Sequence, residues 1–499
     1  MPTSPLTGAP PRRPAPPSHQ RTHRPGLVLA VIVAAQMMVA LDATVVNVAL
    51  PHIQAALRFS PTGLAWVFNI YTLVYGGLLL LGGRAGDLFG RRRVFLAGVL
   101  LFTASSLLAG LAPSGGWLLA ARAAPGAGGA VAPPHVLALI AVNFPDGHAR
   151  TRALAVFSAS ASASLSLGQV LGGMLTAWGS WRWVFFVNVP AGILVAALTR
   201  RIVRETEPHR GRLDLAGAAA SVAGTGALVY GFLRAASDGW GEAGALGSLG
   251  AGAALLAAFA LLERRAAQPV MPLRLLADRD RAFAYAAFFL IPAGMFGVFY
   301  FLGQYLQDVL GYGPLRAGFA FLPMTLAMFA MIRTVPRLLP RLGAKAMIAG
   351  GLLLCLAGML WLAALSAQSG YAGVFGPMVL IGVGMGVAPV PISVTILSGV
   401  APAEAGAAAG MLQTMQWVGA AVGLSVLVAV FGSAARGQGA HRGAGPHEVF
   451  THAAGSAFAV GALFVAAALA AGALGIRGRL RPPRAAREPA GPTAPGAGD

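Results

Sequence analysis

The sequence predicts an all-α polytopic membrane protein of about fourteen spanning helices, arranged six, two and six. Three observations carry this. Hydrophobic residues make up 57% of the 499 and charged residues only 10%, against about 25% charged in an ordinary soluble domain. The mean hydropathy is +0.71, so the chain cannot cover a water-facing surface. The apolar residues fall into runs of roughly 20, the length that crosses a bilayer as a helix. The basic residues gather between every second run and in both ends, the pattern that sets topology.

Taken in order, spans are expected near 27–49, 62–82, 94–112, 116–140, 153–177 and 183–202. Two follow near 213–233 and 244–262, and six more near 283–307, 315–336, 345–366, 372–397, 405–431 and 453–475. Arg91, Arg92 and Arg93 follow the second span, and Arg150 and Arg152 the fourth. Arg200, Arg201, Arg204, Arg210 and Arg212 follow the sixth, and Arg264, Arg265, Arg274, Arg279 and Arg281 the eighth. Arg337, Arg341 and Lys345 form the expected loop after the tenth. These loops and both termini are therefore assigned to the cytoplasm of a cell (inner or plasma) membrane. The intervening loops, such as Pro113–Gly116 and Ser366–Gly370, are short and poor in arginine.

The net charge of +20 would suit nucleic acid if it formed a stripe on a folded domain. Scattered between apolar runs, it argues against a nucleic-acid partner and for membrane lipid. The one cysteine, Cys355, lies inside an apolar run. Residues 1–25 and 477–499 read as basic cytoplasmic tails; 26–204 and 276–476 read as two six-helix halves, with 205–275 holding the extra pair.

An internal repeat supports that division. Gly126-Ala-Gly128-Gly-Ala-Val131-Ala132-Pro133 in the fourth span matches Gly382-Val-Gly384-Met-Gly-Val387-Ala388-Pro389 in the twelfth. Both hold the fourth place in a run of six. The segment Gly83–Arg93 corresponds loosely to Arg337–Lys345, without the aspartate. Repeated halves with a binding site between them are a transporter architecture.

Three stretches carry chemistry. The first is Leu41-Asp42-Ala-Thr44-Val-Val-Asn47 in the first span. An aspartate inside a span costs about 2.5–3.5 kcal/mol on insertion scales and is functional by default. Burial favours the protonated form of a carboxylate, so Asp42 is the leading proton-coupling candidate. Hydrogen bonds to Thr44 or Asn47 would make it a structural carboxylate instead. The second is Gly83-Arg-Ala-Gly-Asp87-Leu-Phe-Gly90-Arg91-Arg92-Arg93, where Gly83 and Gly90 suit a tight turn. Asp87 suits a pairing with a loop arginine or the positive end of a helix. The third is Arg122 in the fourth span, whose guanidinium needs a partner; Asp42 or a polar group in a central cavity is the natural one.

With these motifs in place, the chain resembles the fourteen-helix drug:proton antiporters of the major facilitator superfamily over about residues 27–475. The resemblance implies the major facilitator fold, alternating access, a loop latch at Asp87, Arg91 and Arg92, and a proton-transfer role for Arg122. Pro125 stands where that family usually carries glutamine and predicts a kinked helix. Gly168-Gln169-Val-Leu-Gly172-Gly173 resembles the antiporter motif Gly-Pro-x-x-Gly-Gly, with Gln169 in the proline's place and glycines that allow close packing. Trp181-Arg182-Trp183-Val-Phe-Phe-Val-Asn188-Val-Pro190 also resembles the family, its Trp and Arg suiting interface anchors.

Asn47, Asn69, Tyr71, His135, Gln169, Gln304 and Gln413 are candidates for the substrate cavity, and His135 also suits a proton relay. Hydrogen bonding between helices is the competing role for each. Phe296, Phe299, Met324, Met411 and Trp417 suit either a greasy pocket or plain packing. No phosphate-binding loop and no metal-ligand spacing occurs in the sequence, so protons are the expected coupling ion and no resident cofactor is expected. The expected activity is non-enzymatic: proton-coupled export of small hydrophobic or cationic compounds by a monomer. A proton symporter for a metabolite, left open by Gln169, is the alternative. A membrane enzyme would need a catalytic cluster at one interface, and a non-transporting sensor would have no use for Asp42 and Arg122 in spans.

Overall fold

The computed structural model describes residues 25–144, 148–203, 205, 214–265, 271, 273–401, 404–439 and 445–476. Both expected tails (save Pro25) and Arg204, Arg210 and Arg212 lie outside these residues, as do the side chains of Asp87, His135 and Arg150.

The described residues are almost wholly helical. The first group is α1 (Pro25–Leu57), α2 (Pro61–Phe89), α3 (Arg91–Gly110), α4 (Gly115–Asn143), α5 (His148–Trp178), α6 (Trp183–Phe186) and α7 (Asn188–Ile202). A hairpin, α8 (Leu215–Asp238) and α9 (Ala243–Arg265), follows. Then come α10 (Arg279–Gln304), α11 (Pro314–Ala320), α12 (Leu322–Ala363), α13 (Tyr371–Val387), α14 (Pro389–Leu397), α15 (Ala405–Gly439) and α16 (Pro446–Ala470). Among the described residues, 12 helical segments are long and apolar enough to cross a membrane, and each coincides with an expected span. The remaining two expected spans fall on α4 and α5, of 29 and 31 residues. At 1.5 Å per residue these are about 45 Å long, against about 30 Å of hydrocarbon.

Local chemistry marks the helix ends. Ser60, Ser114, Asp214 and Asp278 each accept a backbone N–H in the first turn of the following helix, satisfying donors that lipid cannot. Prolines open α2, α11 and α16, where their missing N–H has no partner to lose.

Two sequence expectations are corrected. Gly83 takes no part in a turn: α2 runs on to Phe89, and Gly90 alone makes the corner with φ of 96°. The loop expected around Arg337 and Arg341 is helical, and the chain turns only at Gly343, with φ of 76°. Pro336 and Pro340 forfeit N–H donors but keep helical dihedrals, whereas a positive φ is cheap only for glycine. The segment α4 is helical from Gly115 to Asn143, Pro125 included.

The repeat is visible in the packing. A Cβ at Gly126 would meet the Tyr71 carbonyl on α2 at 2.7 Å, and one at Gly128 the Gly98 carbonyl on α3 at 2.7 Å. Gly382 sits in the same way against Met324, and Gly384 against Gly351, on the two arms of α12 either side of Gly343. The matched glycines thus seat α4 on α2 and α3, and α13 on the two arms of α12. Contact between the two groups runs along α2 with α15 and α5 with α11, and α8 packs on both α2 and α15.

Candidate functional site

Asp42 stands near the middle of α1, about 25 Å from one end and about 22 Å from the other. It is 1% exposed, as is Arg122 of α4. Arg122 Nη1 donates to Asp42 Oδ2 at 2.5 Å, and its Nε donates to the Val67 carbonyl at 3.2 Å. Its guanidinium carbon lies 4.6 Å from the Tyr71 ring centre and 5.6 Å from that of Phe185, within range of a cation–π attraction. Nη2 has no hydrogen-bond partner among the described residues. The second carboxylate oxygen, Asp42 Oδ1, accepts from Asn188 Nδ2 at 3.1 Å.

The site therefore draws on α1, α2, α4, α6 and α7. Thr44 and Asn47 are not partners of Asp42. The Thr44 hydroxyl donates to the Leu41 carbonyl at 3.0 Å, and the Asn47 amide to the Ala43 carbonyl at 3.4 Å. Asn188 was missed as a site residue; its cue was an amide just past the Trp181–Trp183 stretch, at the end of a span. Removing either member of such a buried ion pair leaves an uncompensated charge, at a cost of about 3–5 kcal/mol. Protonation of the carboxylate has the same effect on Arg122 chemically: it cancels the partner charge and leaves one carbonyl and two rings.

Aromatic rings join this pair to the other half. Tyr71 and Tyr75 lie 6.3 and 4.6 Å from the Trp417 ring on α15. Trp417 lies 6.1 Å from Phe296 on α10, which lies 5.2 Å from Phe68 on α2 and 6.3 Å from Phe299. The remaining polar candidates are spread along the seams. Gln169 and Asn69 are fully buried, and their amides have no partner among the described residues. Gln304 bonds back to the Tyr300 carbonyl, and Gln413 is only partly buried.

At one end the halves are joined directly: Gln307 Nε2 donates to the Val48 carbonyl at 3.0 Å and the Tyr300 hydroxyl to the Pro61 carbonyl at 3.4 Å. The small residues expected to allow close approach do so. Gly168 lies against Thr44, Gly172 against the Val45 carbonyl and Gly173 against the Pro314 carbonyl, so α5 seats on both α1 and α11. At the opposite end, Arg91 and Arg92 belong to the first turn of α3. Glu205, also missed in the sequence, accepts the backbone N–H of Arg92 at 3.0 Å and of Arg93 at 3.2 Å, and Arg92 reaches the Val203 carbonyl. Its cue was a carboxylate at the start of an arginine-rich loop.

The profile of the family described as the Major Facilitator Superfamily matches residues 32–424. The chain belongs to that superfamily. Two relatives are similar over nearly their whole length. The cephamycin export protein CmcT of Amycolatopsis lactamdurans is 41% identical over 456 residues, 90% of this chain and 92% of the relative. The puromycin resistance protein pur8 of Streptomyces alboniger is 40% identical over 452 residues, 89% and 90% of the two chains. Among solved structures, an inward-facing bacterial homolog of the human lysosomal transporter Spinster aligns with a TM-score of 0.63 at 16% identity, over 91% of this chain and 97% of that one. A D-xylose–proton symporter aligns with a TM-score of 0.60 at 16% identity, over 88% and 96%. These share the fold. The chain is thus a multi-pass membrane transporter of the superfamily that acts on small molecules, and not an enzyme.

Proposed function

We propose that this transporter exports small hydrophobic or cationic compounds, antibiotics among them, in exchange for protons, as a monomer with both termini in the cytoplasm. The observation that carries the reading is the Asp42–Arg122 pair, buried at mid-span and held by Asn188 and Tyr71. The names of the export and resistance relatives support the direction. Residues 26–204 and 276–476 serve as the two moving halves, with 205–275 between them. In the orientation set by the arginines, the Val48–Gln307 and Pro61–Tyr300 bonds join the halves on the outer side.

The cycle follows from the charges. With the outer side open, Asp42 takes a proton from outside, Arg122 loses its counter-charge, and bound substrate leaves. With the inner side open, Asp42 gives that proton to the cytoplasm, re-forms its pair with Arg122, and substrate binds along Tyr71, Trp417 and Phe296. The unpartnered amides of Asn69 and Gln169 offer that substrate hydrogen bonds. One elementary charge moved through 100 mV supplies about 2.3 kcal/mol. The test is substrate-driven proton flux in liposomes loaded with a pH-sensitive dye, screened over cationic and neutral drugs. Flux in the wild type that vanishes in Asp42→Asn supports the reading; flux that survives the substitution removes Asp42 as the coupling site.

A further inference from the structure

A cavity of about 250 Å³ reaches Asp42 from the flank of the molecule rather than from between the halves. Every residue lining it belongs to α1, α5, α6 or α7 or to the Val187 link, and none to the C-terminal half. Its walls are apolar: Met37, Met38 and Leu41 on one side, Leu171, Val187 and Ala191 on the other. Among the described residues, its only polar lining residues are Asp42 and Asn188, 1% and 4% exposed. Val187 and Ala191, at the mouth, are exposed, and so is Leu194 one turn further along the same face of α7. That face carries no polar group and lies at the level of mid-α1, so it meets hydrocarbon and not water.

We propose that this cleft is a membrane-side binding site for lipophilic amines, which reach Asp42 from the bilayer without passing through the space between the halves. This rests on the export reading and names its substrate class. Charge complementarity selects the occupant. A carboxylate offers about four acceptor positions, of which Arg122 and Asn188 take two. An ammonium is a donor of the right sign that competes with Arg122 for the same group. The flexible thioethers of Met37 and Met38 fit varied apolar bodies. Size bounds the class: a cavity of about 150 Å³ takes one benzene, so this one takes a two-ring aromatic or a portion of that size.

The experiment uses the full chain in lipid nanodiscs and a naphthylmethylamine bearing a carbene-generating photoprobe, with adducts mapped by peptide mass spectrometry. Adducts are expected to concentrate on peptides covering 34–45 and 184–191, and excess unlabelled 1-naphthylmethylamine should suppress them. Val187→Trp and, separately, Ala191→Phe fill the mouth from its exposed side. Each should cut cleft labelling at least fivefold while leaving background adducts at the exposed Leu100 and Leu360 unchanged. Asp42→Asn should weaken competition by the amine at least tenfold. Adducts spread evenly over lipid-facing leucines, adducts on the Trp417–Phe296 wall with none on the cleft peptides, or equal competition by naphthylmethanol would each overturn the proposal, the last making the cleft a groove for any apolar tail. The labelling needs no gradient, so it separates from the antiport reading. Cleft labelling without Asp42-dependent proton flux sinks antiport alone, and flux with even labelling sinks the cleft alone.

Discussion

At the scale of single residues, the proposed coupling site is a carboxylate with two donors of different kinds. Arg122 offers a full charge to one oxygen and Asn188 a neutral N–H to the other. Their loss should read differently. Arg122→Leu leaves Asp42 buried without a counter-charge, and substrate-driven proton flux in liposomes should fall to background. Asn188→Leu removes only a donor that favours the ionised carboxylate. Substrate-driven flux should then fall in part, by roughly tenfold if the bond is worth about 1.4 kcal/mol, and not to background. Flux in Asn188→Leu equal to that of the wild type would remove Asn188 from the proposed coupling group. The approximate place of Asp42, Arg122 and Tyr71 was legible in the sequence because an ionisable group inside an apolar run is conspicuous on its own. Asn188 was not, because an amide next to a span end is unremarkable until α7 is packed against α1.

At the scale of helices, close approach is set by glycine and helix ends by single capping groups. Gly168 leaves no room for a side chain against Thr44. Gly168→Val should overpack the α1–α5 contact and lower stability by about 1–3 kcal/mol, measured as a lower unfolding temperature in detergent; an unchanged temperature would show that α5 can shift away. Glu205 satisfies two free N–H groups at the start of α3. Glu205→Ala should cost about 0.5–2 kcal/mol, the usual range for a lost cap, and the same melting curves measure it. Helix positions followed from apolar run length, but the corners did not. Gly83 and Gly90 look equivalent in sequence, and only the backbone shows that Gly90 takes the positive φ.

At the scale of the whole molecule, the two halves meet at one end through hydrogen bonds from Gln307 and Tyr300, each worth about 0.5–1.5 kcal/mol net. The double variant Tyr300→Phe, Gln307→Ala should therefore shift the population toward the state open at that end by roughly five- to 150-fold. Electron-resonance distances between spin labels at Thr62 and Asp308 would report this as a longer second distance; an unaltered distribution would show that packing alone keeps that end shut. The α8–α9 hairpin is held to both sides of the seam, by Thr62 with Ser237 at 2.8 Å and by Trp240 with Ser433 at 3.1 Å. Any rocking of the halves has to loosen one of these joints.

The span order, the six-helix repeat and the conspicuous aspartate are properties of contiguous residues, and so they stand in the sequence. A helix in lipid satisfies its backbone within its own segment, and an ionisable residue inside an apolar run stands out before its partners are known. The partners of that aspartate are 80 and 146 residues away. Which of several polar groups reach it depends on the rotation and spacing of the helices around it, set in turn by glycine contacts across them. The same packing left Asn69 and Gln169 without partners among the described residues and opened a flank cleft to Asp42. These are relations between helix faces, and a face has no neighbour until the helices are assembled.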